Sequence, residues 1–232
     1  MSGLPTTRWS LVLSARDDAE SGRQALAALC AAYRAPVLAY LRRRVGDAER
    51  AADLVQGFFV HFLDQQLHHS ADPDRGRFRS FLLTCVRHYL GHEIEREQAL
   101  RRGGAMQHVD TEAVEVETEA DGPEAAFERA WAATVIARAS ARLEAEAVAA
   151  GKSGLYAELR GFLVDAPDAS DYAGLAERLG MRRNTLAVAV YRMRQRLQQL
   201  VREELAETVS AAEDVELELA VMRKAMRPRS GP

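Results

Sequence analysis

Leu26, Leu29, Tyr33, Val37, Leu41 and Val45 recur at three- and four-residue steps, the apolar stripe of an amphipathic helix. Pro36 is expected to kink or restart that helix, and Gly46 to end it. Asp47 then reads as the N-cap of a second helix, whose Leu54, Val55, Phe58, Phe59, Phe62 and Leu63 form a broad apolar face. A polar loop, QQLHHSADPDRGRF, leads to a third helix through Phe81, Leu82, Cys85, Val86, Tyr89, Leu90 and Ile94, ending before Gly103-Gly104. Three such faces close one bundle core. Composition points the same way: aromatics are only 6% of 232 residues, with 15 glycines and 7 prolines, so few segments compete as strands and the chain reads as all-α.

A net charge of −3 argues against a nucleic-acid partner only if the charge is evenly spread, and it is not. From Asp110 to Glu128 every charged residue is acidic, whereas from Gly180 to Arg202 every one is arginine. The acidic stretch lacks apolar periodicity and runs into Asp121-Gly122-Pro123, the signature of a flexible linker. The expected layout is two small helical domains: an N-terminal extension over 1–25, a helical bundle over 26–105, the acidic linker over 106–126, a helix-turn-helix domain over 127–206 and a partly helical tail over 207–232. The tail is expected to pack on the C-terminal domain.

Cys30 and Cys85 fall on apolar helix faces, which suits a reduced, cytoplasmic setting rather than a disulfide framework. No apolar run approaches the roughly 18 residues of a membrane span, so no membrane insertion is expected. His88 and His92 stand four apart, but no Glu of a zinc-protease motif or Cys cluster completes a site. Gly151-Lys152-Ser153 lacks the preceding glycine and strand of a phosphate loop. Neither a cofactor nor catalysis is expected.

The stretch RLGMRRNTLAVAVYRMRQRL, residues 178–197, carries the parts of a helix-turn-helix in order. DYAGLAERLG supplies a first helix with a small Ala176, Gly180 permits a left-handed turn, and Asn184-Thr185 can cap the second. Leu186, Val190, Met193, Leu197 and Leu200 face the core, leaving Thr185, Val188, Arg192 and Gln199 outward. Arg182 and Arg183 stand at the entrance, suited to phosphate or a guanine edge, and Val188 to a thymine methyl. A solvated helix normally mixes charge signs; this one has no acid.

These residues resemble the extracytoplasmic-function type of sigma-70 RNA polymerase sigma factor. YRAPVLAYLRRRVGDAERAADLVQGFFVHFL is similar to its first conserved segment, GRFRSFLLTCVRHYLGHEIERE to its promoter-melting segment, and YAGLAERLGMRRNTLAVAVYRMRQRL to its C-terminal helix-turn-helix. TTRWSLV, DPDRGRF and LRRGG resemble the branch that begins with a Thr-Arg-Trp-Ser-Leu motif. The resemblance implies a non-enzymatic subunit that docks on core RNA polymerase, directs it to promoter DNA and helps open the duplex. It implies region 2 over the first domain and region 4 over the second. Asp53, Leu54 and Gln56 would meet the polymerase. Arg75, Arg77, Phe78, Arg79, Arg87, His88 and His92 would take the −10 element, with Phe81 and Tyr89 divided between stacking and core. Arg182, Arg183, Asn184, Thr185, Val188 and Arg192 would read the −35 element.

Two departures stand out. The family's acidic pair before Leu-Val-Gln is reduced to Ala52-Asp53, and Gly57 replaces the acid after it, which thins the charge aimed at the polymerase. Phosphorylation can restore charge, but residues 46–69 hold no serine or threonine. Ala187 and Ala189 stand where recognition helices often carry lysine or arginine. A regulator such as an anti-sigma factor or a kinase is a further expected partner. The alternative is a helix-turn-helix transcriptional regulator with an N-terminal sensor or dimerisation bundle; a helical adaptor without a DNA role is the third.

Overall fold

The computed structural model describes residues 12–16, 20–103, 122–163, 168–206 and 214–227. The Thr-Arg-Trp-Ser-Leu motif and most of the acidic linker lie outside the described residues. Among those described no strand occurs, so the fold is all-α as the periodicity predicts. In chain order the helices are α1 (Glu20–Val45), α2 (Ala48–Asp64), α3 (Phe78–Gly103), α4 (Pro123–Ala149), α5 (Ser153–Leu159), α6 (Ala169–Leu179), α7 (Arg183–Ala206) and α8 (Asp214–Ala225). They form two compact units, Met1–Thr134 with Ala206–Pro232, and Val135–Leu205.

In the first unit α1 packs on α2, and α2 on α3. Leu29, Tyr33, Val37 and Leu41 meet the faces of Leu54, Val55, Phe58 and Phe62, and of Phe78, Leu82, Val86 and Leu90, all buried. Pro36 does not interrupt α1: the hydrogen bond it deletes is offset by burial of its ring on the core side. α1 is long and apolar enough to qualify as a spanning segment, but its stripe is committed to this core. Gly46 turns with a left-handed φ of +73°, and the Asp47 carboxylate accepts from the Arg50 amide at 2.9 Å, the expected N-cap. Arg50 also reaches Glu97 at 2.7 Å, tying α2 to α3. The polar loop holds two short 3-10 turns, Leu67–Ser70 and Pro73–Arg75. His68 is buried there, and burial holds its imidazole below the ordinary value.

Gly57 occupies a close approach between α2 and α3. A Cβ there would overlap the Tyr89 hydroxyl and lie 3.4 Å from Cζ. To make way the ring would have to shift in its contacts with Phe58, at 5.7 Å, and His61, at 5.5 Å between centroids.

α4 crosses between the units: its residues up to Thr134, including buried Phe127 and Trp131, group with the first. The tail helix α8 also belongs to the first unit, not to the helix-turn-helix unit as expected. The cause is Glu218, fully buried and paired with Arg77, just before α3, and with Arg79 in its first turn.

The second unit closes on Leu159, Leu175, Leu186 and Val190, with Tyr172, Ala176, Leu179 and Met193 packed around them. Asp168 caps α6, accepting from the Ser170 amide at 2.8 Å and the Asp171 amide at 2.9 Å, while Asp171 accepts from the Asp168 amide. Gly180 ends α6 at φ +61°, and the Met181 amide donates to the Ala176 carbonyl at 3.2 Å, the six-residue closure of a Schellman turn. α7 starts at Arg183, two residues before the start that an Asn184 cap implies, so Asn184 and Thr185 lie in its first turn rather than at its cap. Arg142 pairs with Glu203 at 2.5 Å and with buried Glu204 at 3.1 Å, fixing the end of α7 to α4.

Two substitutions test these turns by thermal and urea denaturation of the full chain. Gly57→Ala gains about 1 kcal/mol in helix propensity alone, but the overlap with Tyr89 is expected to reverse the sign, destabilising by about 1 kcal/mol or more. In a Tyr89→Phe background the same substitution should stabilise. Gly180→Ala is expected to cost about 1–2 kcal/mol for a left-handed alanine, and Gly180→Asn less.

Candidate nucleic-acid interface

α2 divides the three expected polymerase contacts. Asp53 and Gln56 are exposed, whereas Leu54, 7% exposed, faces the core and is a packing residue. The open face continues instead through Val60, 58% exposed, and Leu63. Val60 follows Asp53 by seven residues and Gln56 by four, so it lies on the same stripe. Leu63 was expected inward and lies at the rim. Gly57 adds no charge to this face, because the Tyr89 hydroxyl stands where its side chain would begin.

The loop and α3 separate the seven residues expected on the −10 element into three groups. Arg75 is exposed, with Asp72 at 3.4 Å. His88 and His92 are exposed one turn apart, His92 with Glu95 at 3.7 Å. Arg87, also exposed, donates to Glu124 at 2.7 Å. That hydrogen bond, with one that Arg87 donates to the Tyr40 hydroxyl oxygen, raises the Arg87 pKa further and keeps the guanidinium charged. Partial burial pushes the Glu124 carboxyl up, but the bond from Arg87 prevails and takes it below its ordinary value.

The third group is enclosed. Phe78 is buried and meets Tyr33 edge-on at 5.3 Å, so it is core rather than an open stacking surface. Arg79 is only 3% exposed: Nε donates to both oxygens of Glu128 at 3.1 Å, Nη1 to Glu218, and the guanidinium lies 4.2 Å from the centroid of Trp131. The expectation of an open Arg79 is thereby corrected. An arginine so buried is tolerated only because acids and a ring meet it on several sides. Arg77, one-third exposed, pairs with the other oxygen of Glu218. Glu124, Glu128 and Glu218 were not singled out as partners from sequence; the first two end the acidic run, and that run was the available signal.

In the second unit Arg182, Arg183, Asn184, Thr185, Val188 and Arg192 are all exposed at the N-terminal part of α7. Tyr191, 63% exposed beside Arg192, joins them, a residue that the sequence pattern had assigned to neither face. The arginines further along differ. Arg194 donates to the Leu163 carbonyl at 3.2 Å, and Arg196 pairs with Glu146 at 2.6 Å and Glu203 at 3.3 Å. These two fasten α7 to its own unit, leaving the cationic surface toward the turn. Ala187 and Ala189 are half-buried, so a longer side chain at either would not point cleanly outward.

Among the described residues no His, Cys, Asp or Glu cluster has the makings of a metal site. Searches of curated proteins and of solved structures gave no significant match. Residues 29–99, spanning most of α1, all of α2 and most of α3, match the family model of sigma-70 region 2. That match supports a sigma-70 family sigma factor, a family in which region 2 binds RNA polymerase and takes part in promoter melting.

Proposed function

We propose that this chain is a sigma factor of the extracytoplasmic-function type, in the branch with a Thr-Arg-Trp-Ser-Leu opening. It acts in the cytoplasm as a non-enzymatic subunit of RNA polymerase. Asp53, Gln56, Val60 and Leu63 of α2 dock on the polymerase, Arg75, Arg77, Arg87, His88 and His92 meet the −10 element, and the start of α7 reads the −35 element. The observation that carries the reading is a helix-turn-helix with a left-handed Gly180 and an exposed arginine end, in the same chain as a sigma-70 region 2.

The chemistry differs at the two grips. At the −35 element Arg182, Arg183 and Arg192 neutralise phosphates or fork onto guanine, while Val188 and Tyr191 offer apolar contact to a thymine methyl. At the −10 element the exposed histidines and arginines surround a strand whose bases have left the stack. Because Ala52 and Gly57 thin the acidic face of α2, docking rests more on Val60 and Leu63 than on charge, and it should depend less on salt than DNA binding does. A kinase or an anti-sigma factor remains part of this proposal as the regulator.

Reconstitution with core polymerase, followed by sequencing of transcript starts, is expected to yield starts at a defined promoter class. Tight binding of the free protein to a duplex site, with no promoter-specific starts, would favour a regulator instead. Arg182→Ala, Arg183→Ala and Arg192→Ala should each lower the slope of log affinity against log salt by about 0.9 on duplex promoter DNA. Arg194→Ala and Arg196→Ala should leave that slope unchanged and lower the melting temperature.

A further inference from the structure

The arginines just before and along the first half of α3 are already occupied by carboxylates of the same chain. Glu218 of α8 takes Arg77 and Arg79, Glu128 of α4 takes Arg79, and Glu124 of α4 takes Arg87 at 2.7 Å. A carboxylate held against a guanidinium offers the geometry and charge of a phosphate oxygen pair. α8 is shaped for this contact: Glu218, Leu219 and Met222 are buried, while Glu216, Leu217, Arg223 and Lys224 are exposed. One acid is thus pressed onto the arginines between apolar anchors.

We infer that α8 is a cis-acting lid that closes over the entry to α3 and competes with a nucleic-acid backbone for Arg77. This rests on the reading of α3 as the strand-facing helix. Tethering makes the competitor intramolecular, so a low intrinsic affinity suffices to keep the face closed in the free protein. Burial pushes the Glu218 carboxyl up in spite of the two guanidiniums, and a backbone phosphate that displaces it has to take over its pairing, since a buried charge stripped of its partner is costly. With 12 residues, α8 is at the lower edge of what is helical in isolation, and it should lose its order once detached. On release Arg77 is freed outright, and Arg79 keeps Glu128 as one partner.

The test compares the full chain, the chain ending at Ala206 and the Glu218→Gln variant, each without polymerase. The probe is a fluorescent single-stranded DNA oligonucleotide titrated across a salt series. Deletion is expected to raise affinity about tenfold and to steepen the salt slope by about 0.7, one phosphate contact on a single strand, with Glu218→Gln between the two. Unchanged or weaker affinity, in variants whose helical circular dichroism falls by no more than the loss of α8 accounts for, would overturn the lid. Hydrogen exchange on the intact wild-type chain is independent of whether the variants fold. Saturation with the oligonucleotide should expose the amides of Val215–Met222, and retained protection with DNA bound counts against the proposal. Transcript starts with core polymerase are scored separately: their absence from both chains removes the sigma reading, while the oligonucleotide and exchange results still decide the lid.

Discussion

The guanidinium of Arg79 is the point on which the first unit turns. It is enclosed among three helices, and each supplies part of its coordination: α4 gives Glu128 and the face of Trp131, α8 gives Glu218, and α3 carries the arginine itself. A buried charge cannot be left partly paired without a cost of several kcal/mol, so the three helices are bound to one another's presence. Hydrophobic burial would let α8 sit at several rotations on the bundle. The forked geometry of one arginine, with donors fixed in a plane, selects one.

The chain assigns one residue type to three kinds of work, separated by where each side chain ends. Arg79 is a structural ion in the interior. Arg194 and Arg196 stitch α7 to a backbone carbonyl and to facing acids, and so hold the helix at the angle from which its start projects. Arg182, Arg183 and Arg192 end in solvent, where a phosphate can reach them. The acid-free run from Gly180 to Arg202 therefore overstates the cationic surface, since part of it is neutralised by glutamates from outside the run.

This explains how far the sequence could be read. Helices were legible because the 3.6-residue period depends on local neighbours, and the Asp47 cap and the Gly180 turn are local as well. Pairings were not. Glu128 lies 49 residues from Arg79 and Glu218 lies 139 away, and no periodicity carries information over such separations. Hence Phe78, Arg79 and Leu54 looked like contacts and are packing, while the tail helix was attached in expectation to the nearer unit. What distinguishes a binding arginine from a structural one is its partner, and partners are set by tertiary folding.

The close approach of Gly57 to Tyr89 bears on how such chains can diverge. A glutamate or aspartate placed at position 57 would need its Cβ where the phenolic oxygen now stands, so the two cannot coexist without the ring shifting in its contacts with Phe58 and His61. Changes at the two sites are therefore coupled: any side chain at 57 requires the aromatic on α3 to shorten or swing away, so the gap in charge on α2 is also a packing requirement between α2 and α3.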